Sequence, residues 1–250
     1  MLGIAFQGNT MRLHPLCVAA MLLGLAACGS DRDGGNPAAP GAGVVELTIS
    51  PATDFLKLKG TERFVATARL SSGLTEAVTA TWTSDASAVT VDGSGLATAA
   101  AVGSATITAA YQGRTATRTV RVLPDYGGRW AGTFFVTSCA VEGAFRAEWC
   151  APVRGASFPA RLDIVQTRDV VSGTWTLQED ATGAVQGTIS PSGALALTGT
   201  VFQGGVAISI SAWESLSTDN ANMTGRFTLT WSAPGGAART EVELSGFRHQ

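Results

Sequence analysis

The sequence predicts an all-β protein. A β-sandwich is followed by an eight-stranded antiparallel up-and-down β-barrel, with an open β-sandwich as the alternative for the second part. Three observations predict this. Thr, Ser, Val, Gly and Ala dominate the chain after its leader, and no long 3.6-residue apolar period appears there. Apolar and hydroxyl residues alternate in short runs separated by Gly- and Pro-containing turns. From Arg129 onward, eight such runs of similar length follow one another through short connections, which is the layout of a meander.

Composition narrows the classes. The chain has 250 residues, 45% hydrophobic and 14% charged, with a formal net charge of -2. That is enough for one large or two small packed domains and is unlike a disordered chain. No basic patch or arginine cluster is present, which argues against nucleic acid as a partner.

The leader comes first in the chain. Arg12 precedes an apolar run from Pro15 to Gly24, which ends in Leu25-Ala26-Ala27-Cys28. A positive charge, a short apolar segment and small residues before a cut are what a secretion signal requires, and the run is too short to span a bilayer. This stretch resembles the bacterial lipobox. The resemblance implies cleavage before Cys28 by signal peptidase II and di- or triacylation of the new N-terminal cysteine, palmitate included. Stable anchoring takes two acyl signals, each buried CH₂ contributing about 0.8 kcal/mol, and an acylated Cys28 supplies them. Residues 1–27 are then a signal peptide. Met1 to Thr10 carries no charge, so Met11-Arg12 is the better start. Gly29 follows the cysteine, where an Asp would retain an enteric lipoprotein in the inner membrane. The expected location is the cell envelope, lipid-anchored, at the outer membrane. Residues 28–43 are rich in Gly, Pro and Asp and read as a flexible tether.

Of the four cysteines, Cys17 leaves with the signal and Cys28 is the lipid site. Cys139 and Cys150 remain as a pair in an oxidising compartment, where a disulfide closing so short a loop contributes about 3 kcal/mol. Two free thiols or half a metal site are the alternatives. Metal has little support, because the histidines are His14, in the leader, and His249, beside the terminus.

Residues 44–123 read as the sandwich. Leu47 and Ile49 flank Thr48; Phe64, Ala66 and Ala68 share a face; Val78, Ala80 and Trp82 oppose three threonines. Ala105, Ile107 and Ala109 alternate with hydroxyl residues, and Val120 and Val122 close the segment. Thr81-Trp82-Thr83-Ser84, Val91-Asp92 with Gly95, and Gly103-Ser104-Ala105-Thr106-Ile107 resemble the bacterial Ig-like group 2 domain. The resemblance implies an Ig-like sandwich without the antibody-type disulfide, with Trp82 as the buried core tryptophan. Such domains serve as spacers in many surface proteins, so function does not follow from this fold.

Pro124 ends the sandwich, and Asp125 to Gly128 read as a short hinge. Residues 126–250 then carry the eight runs, from Trp130–Thr137 to Thr240–Phe247. One phase holds Trp130, Phe134, Trp175, Phe227 and Trp231, together with Gly132, Gly173, Gly187, Gly199, Gly225 and Gly246. Glycines facing inward suggest a strongly coiled sheet whose gaps are covered by aromatic neighbours. Gly128-Arg129-Trp130 at the start and Arg248 at the end resemble the calycin group of lipocalins and avidins. That resemblance implies a barrel with Trp130 packed beneath the arginine and a long first loop, here stiffened by Cys139–Cys150, over the mouth.

No catalytic set, Walker pattern or cofactor motif can be assembled, so the expected protein is not an enzyme. Two readings remain. In the first, an Ig-like stalk presents a barrel that takes a small apolar molecule, or a surface protein or glycan. Trp130, Trp175, Phe227 and Trp231 line its shallow aromatic site under the disulfide loop. In the second, the barrel is filled and the protein is structural or adhesive.

Overall fold

The structure, a computed structural model, describes residues 43–178 and 180–250. The expected signal peptide, the expected start at Met11, Cys28 and the expected tether up to residue 42 lie outside the described residues. Every long element is a strand.

The first part contains β1 (Val44–Ser50), β2 (Phe55–Lys57), β3 (Thr61–Arg63), β4 (Val65–Leu70), β5 (Thr75–Val78), β6 (Thr81–Ser84), β7 (Val89–Val91), β8 (Leu96–Ala99), β9 (Gly103–Tyr111) and β10 (Arg114–Leu123). They form three small sheets, ordered β1-β4-β5, β2-β10-β9-β6 and β3-β8-β7. The alternating residues read from the sequence form the core: Leu47, Ile49, Phe64, Ala66, Ala68, Ala105, Ile107, Ala109, Val120 and Val122 are buried. Two details differ from the sequence reading. The run Val78-Ala80-Trp82 is not one strand, because the chain passes between two sheets after Val78. Trp82 is not fully buried. Its indole packs at the margin of the core against Gly95, where the missing side chain makes room, and Phe64 takes the centre.

The second part is a closed barrel of β11 (Gly128–Gly143), β12 (Ser157–Thr167), β13 (Val170–Leu177), β14 (Ala181–Ile189), β15 (Leu195–Gln203), β16 (Val206–Leu216), β17 (Asn222–Ala233) and β18 (Gly236–His249). Each strand pairs antiparallel with the next. β18 closes on β11 from Trp130↔His249 to Gly143↔Gly236, so no edge is left open. The open sandwich is thereby excluded. Turn chemistry explains the hairpins. Gly204 and Gly205 both have positive φ, as a two-residue turn between twisted strands requires.

Irregular pairing decides what faces inward. Pairing shifts register after Val136, after Ser211 and between Ala131 and Thr133. At the last of these Gly246 lies in the left-handed region and is exposed, so it is not one of the inward glycines. The others press on neighbouring backbone: a Cβ at Gly173 or Gly187 would collide with the carbonyl of Asp163 or Ala196. The glycines thus permit the tight curvature of a small barrel.

The two parts form one compact unit. The segment expected to be a hinge is clamped. Gln166 accepts from Tyr126 N (2.7 Å) and donates to Pro124 O (3.1 Å). Asn220 accepts from Asp125 N (3.0 Å) and donates to Leu58 O (2.9 Å). Arg168 forms a two-pronged pair with Asp54 (2.7 Å each), Lys59 Nζ donates to Asp219 O (2.8 Å), and Phe55 packs on the barrel core. β10 runs from Arg114, whose Nε donates to Val44 O, to Leu123 at this junction. β11 then runs from the junction to the disulfide loop. Val44 and the disulfide loop therefore stand at opposite ends.

Candidate functional site

The barrel has two ends, and each is stoppered. At the end away from the Ig-like part, residues 144–156 form a loop with one 3-10 turn at Ala147–Cys150. Cys139 and Cys150 are disulfide-bonded, with Cα atoms 5.7 Å apart. Arg154 Nη2 donates to Cys139 O (2.8 Å). The loop brings its own aromatics. Trp149 meets Trp231 edge-on at 5.0 Å between ring centroids, and Phe145 meets Trp149 at 5.7 Å. Trp149 and Trp231 are both half-buried, so this mouth is filled by a tryptophan pair.

At the junction end, Tyr126 is fully buried. Its hydroxyl donates to Gly193 O (2.8 Å) and accepts from Ser217 N (3.0 Å), and its carbonyl accepts from Trp130 Nε1 (2.9 Å). Burial pushes the phenol up to about 12, with the Ser217 N–H pulling the other way. The ring against Trp130 belongs to His249, at 5.0 Å, while Arg248 is exposed. Trp130 is therefore not packed beneath Arg248 as expected; it lies against a histidine whose Nε2 is 2.8 Å from Gly127 O. The terminus is held rather than frayed, since His249 N donates to Ala221 O.

Between these ends the interior is occupied by side chains. Trp175 meets Trp213 at 5.1 Å and Phe227 at 5.5 Å, and stacks on Phe247 at 5.8 Å. Trp213 stacks on Phe227 at 4.4 Å. Of the four residues assigned to an aromatic site, Trp130, Trp175 and Phe227 are buried within this packing, and Trp231 lies under the loop. They are not brought together around an open space. Trp213, Trp149, Tyr126 and Phe247 were missed as members of the interior. Strict alternation would turn Trp213 outward, but the irregularity at Ala212, with φ of 49°, turns it in. Two buried polar atoms of the barrel strands, Trp175 Nε1 and Thr240 Oγ1, have no protein partner.

The larger clefts lie elsewhere. An open one of about 650 Å³ is lined by Ser192, Glu214, Thr224, Arg226 and Glu243 among others, and one of about 450 Å³ lies over Ala131, Pro159, Arg161 and Thr176. Among the described residues no cluster of three or more potential metal ligands is formed.

Comparison with known proteins agrees with the first part of the fold. Residues 44–122 match the family of the bacterial Ig-like domain (group 2). No curated protein matches the chain.

Proposed function

We propose that this protein is a lipid-anchored component of the bacterial cell envelope, attached through Cys28. The Ig-like part serves as a stalk, and the barrel acts through its outer surface and not through a lumen. The observation that carries this reading is the packed interior between Tyr126 and Trp149. Eight strands leave room for side chains or for one small ligand, and here side chains take the room. The axial order supports the stalk: the end holding Val44 lies opposite the disulfide loop, so a tether at Val44 would hold that loop farthest from the membrane. The protein is not expected to be an enzyme. The outer membrane remains the proposed address, on the Gly29 that follows the cysteine.

Two experiments test this. Cys28→Ser should leave an unprocessed, unacylated precursor, and a processed, acylated form of that variant would refute the anchor. Tryptophan fluorescence titrated with hydrophobic probes should show no saturable quenching. Saturable quenching that disappears in Trp175→Ala would revive the alternative, a receptor for a small guest. The unpaired Trp175 Nε1 and Thr240 Oγ1 favour that second reading, because buried polar atoms usually have partners.

A further inference from the structure

The open cleft of about 650 Å³ lies where the barrel wall departs from regular pairing. β16 and β18 flank β17, and each carries one more residue than β17 at this level, beside Ala212 and Gly246. A bulge bends its strand and re-aims the neighbouring side chains. Between the two bulges stands Gly225, where a Cβ would press on Glu214 O and Ser215. The missing side chain gives the cleft its floor, with Leu216 and Leu244 beside it. One cross-strand row crosses this level: Glu214 on β16, Arg226 on β17, Glu243 on β18 and Phe135 on β11. All four are exposed. Arg226 Nη2 leans to Glu214, 3.4 Å from Oε2, and forms no pair with Glu243. Glu241, the next outward residue of β18, is engaged by Thr228 and Arg239. Among the described residues Glu243 has neither an ion pair nor a side-chain hydrogen bond. The cleft thus holds two carboxylates against one guanidinium, and one carboxylate is uncommitted.

We propose that this cleft docks a basic segment of a partner polypeptide, with an arginine of that segment placed on Glu243. The proposal rests on the reading that the barrel acts through its outer surface. Charge selects the occupant. A carboxylate only accepts hydrogen bonds, so Glu243 is completed by a donor cation, and an anionic partner is repelled. A guanidinium suits the place better than an ammonium, because its planar fork takes both carboxylate oxygens and it stacks on aromatic rings. Phe135, 38% exposed, stands directly across from Glu243, where side chains of paired strands start about 5 Å apart. The methylene stem of the arginine would lie along Leu216 and Leu244. The shape argues for a chain rather than a small molecule. Small-molecule sites enclose most of their ligand, whereas this cleft is open and covers one side only. The groups are exposed, so the contact is weak and salt-sensitive.

Nuclear magnetic resonance titration of the isotope-labelled full chain in detergent micelles, with a capped peptide of alternating glycine and arginine, tests the inference. Amide shifts centred on Gly225 and Glu243 should saturate, and they should fade at high salt. Glu243→Gln should weaken binding about fivefold, the upper range for an exposed ion pair. Glu214→Gln frees Arg226 to turn to Glu243 and should weaken binding too. It serves as the second variant should the first fail to fold, as judged by its thermal melt. Arg226→Gln removes the competing cation and should strengthen binding. No saturable shifts, shifts centred elsewhere, or equal affinity in wild type and Glu243→Gln would overturn the proposal. So would equal binding of a peptide with glutamine in place of arginine, or tighter binding of putrescine, which would make the cleft a small-amine site. Saturable quenching of the interior tryptophans by hydrophobic probes would refute the filled lumen without altering these shifts.

Discussion

Tyr126 is the residue on which the closed end of the barrel depends. Replacing it with Phe keeps the ring but leaves Ser217 N–H and Gly193 O without their partner. The expected loss is about 1–3 kcal/mol in chemical denaturation. The same hydroxyl sets an alkaline limit. Its native proton affinity lies above that of the unfolded chain, so its contribution is complete below pH about 10. It disappears as the pH rises through about 12. The stability difference between wild type and Tyr126→Phe should therefore shrink over that window, and a constant difference would show that the phenol is not the titrating group. None of this was legible beforehand. Tyr126 sits in Pro124-Asp125-Tyr126-Gly127, whose turn-forming residues read as a hinge, and its partners lie 67 and 91 residues away. Trp130 was legible, because an inward tryptophan opening the first strand is a local signal. The histidine over it was not, because Arg248 and His249 differ by one position in a strand that changes register.

At the scale of the element, alternation revealed the eight strands, their turns and most of the inward residues. It failed wherever a strand changes phase. The irregularity at Ala212 is the clearest instance, since one non-glycine residue in the left-handed region carries Trp213 into the core. Ala212→Gly should be neutral or slightly stabilising, because the left-handed region costs an L residue about 1 kcal/mol. Ala212→Val should destabilise and perturb the near-ultraviolet signal of Trp213. Equal stability of the two variants would mean that the bulge is not where the strain lies. The disulfide pair was legible by counting cysteines; its consequence was not. The loop was expected to roof a cavity, but Trp149, next to Cys150, fills the mouth instead. Opening the cross-link by replacing both Cys139 and Cys150 with Ser should cost about 3 kcal/mol for a loop of 11 residues. It should also make Trp231 accessible to acrylamide. Unchanged quenching would mean that the loop stays in place without its staple.

At the scale of the whole molecule, the junction decides how the Ig-like part and the barrel move. Its bonds join Asp54, Leu58 and Lys59 to residues more than a hundred positions later, so no local pattern announces them. The turn Asp219-Asn220-Ala221 is the centre of this contact. The Asp219 carboxylate accepts from the backbone N–H groups of Asn222 and Ala221, which holds it down at about 2 and shapes the turn. Asn220 then reaches both Asp125 and Leu58 from a left-handed conformation. On the other flank, the guanidinium of Arg168 holds Asp54 below the usual carboxylate range. Both carboxyls have depressed native affinities for protons. Their contribution is therefore complete above the ordinary carboxylate range and is lost in acid, for Asp219 as the pH falls through about 2. Spin labels at Thr90 and Ser245 should report a narrow distance distribution at neutral pH. It should broaden in Asn220→Ala at neutral pH and in the wild type as the pH falls through about 2, where Asp219 takes up its proton. A broad distribution in the neutral wild type would mean that the Ig-like part swings freely. A narrow one that survives both Asn220→Ala and acid would place the stiffness elsewhere, in the apolar seat of Phe55 and the buried Tyr126.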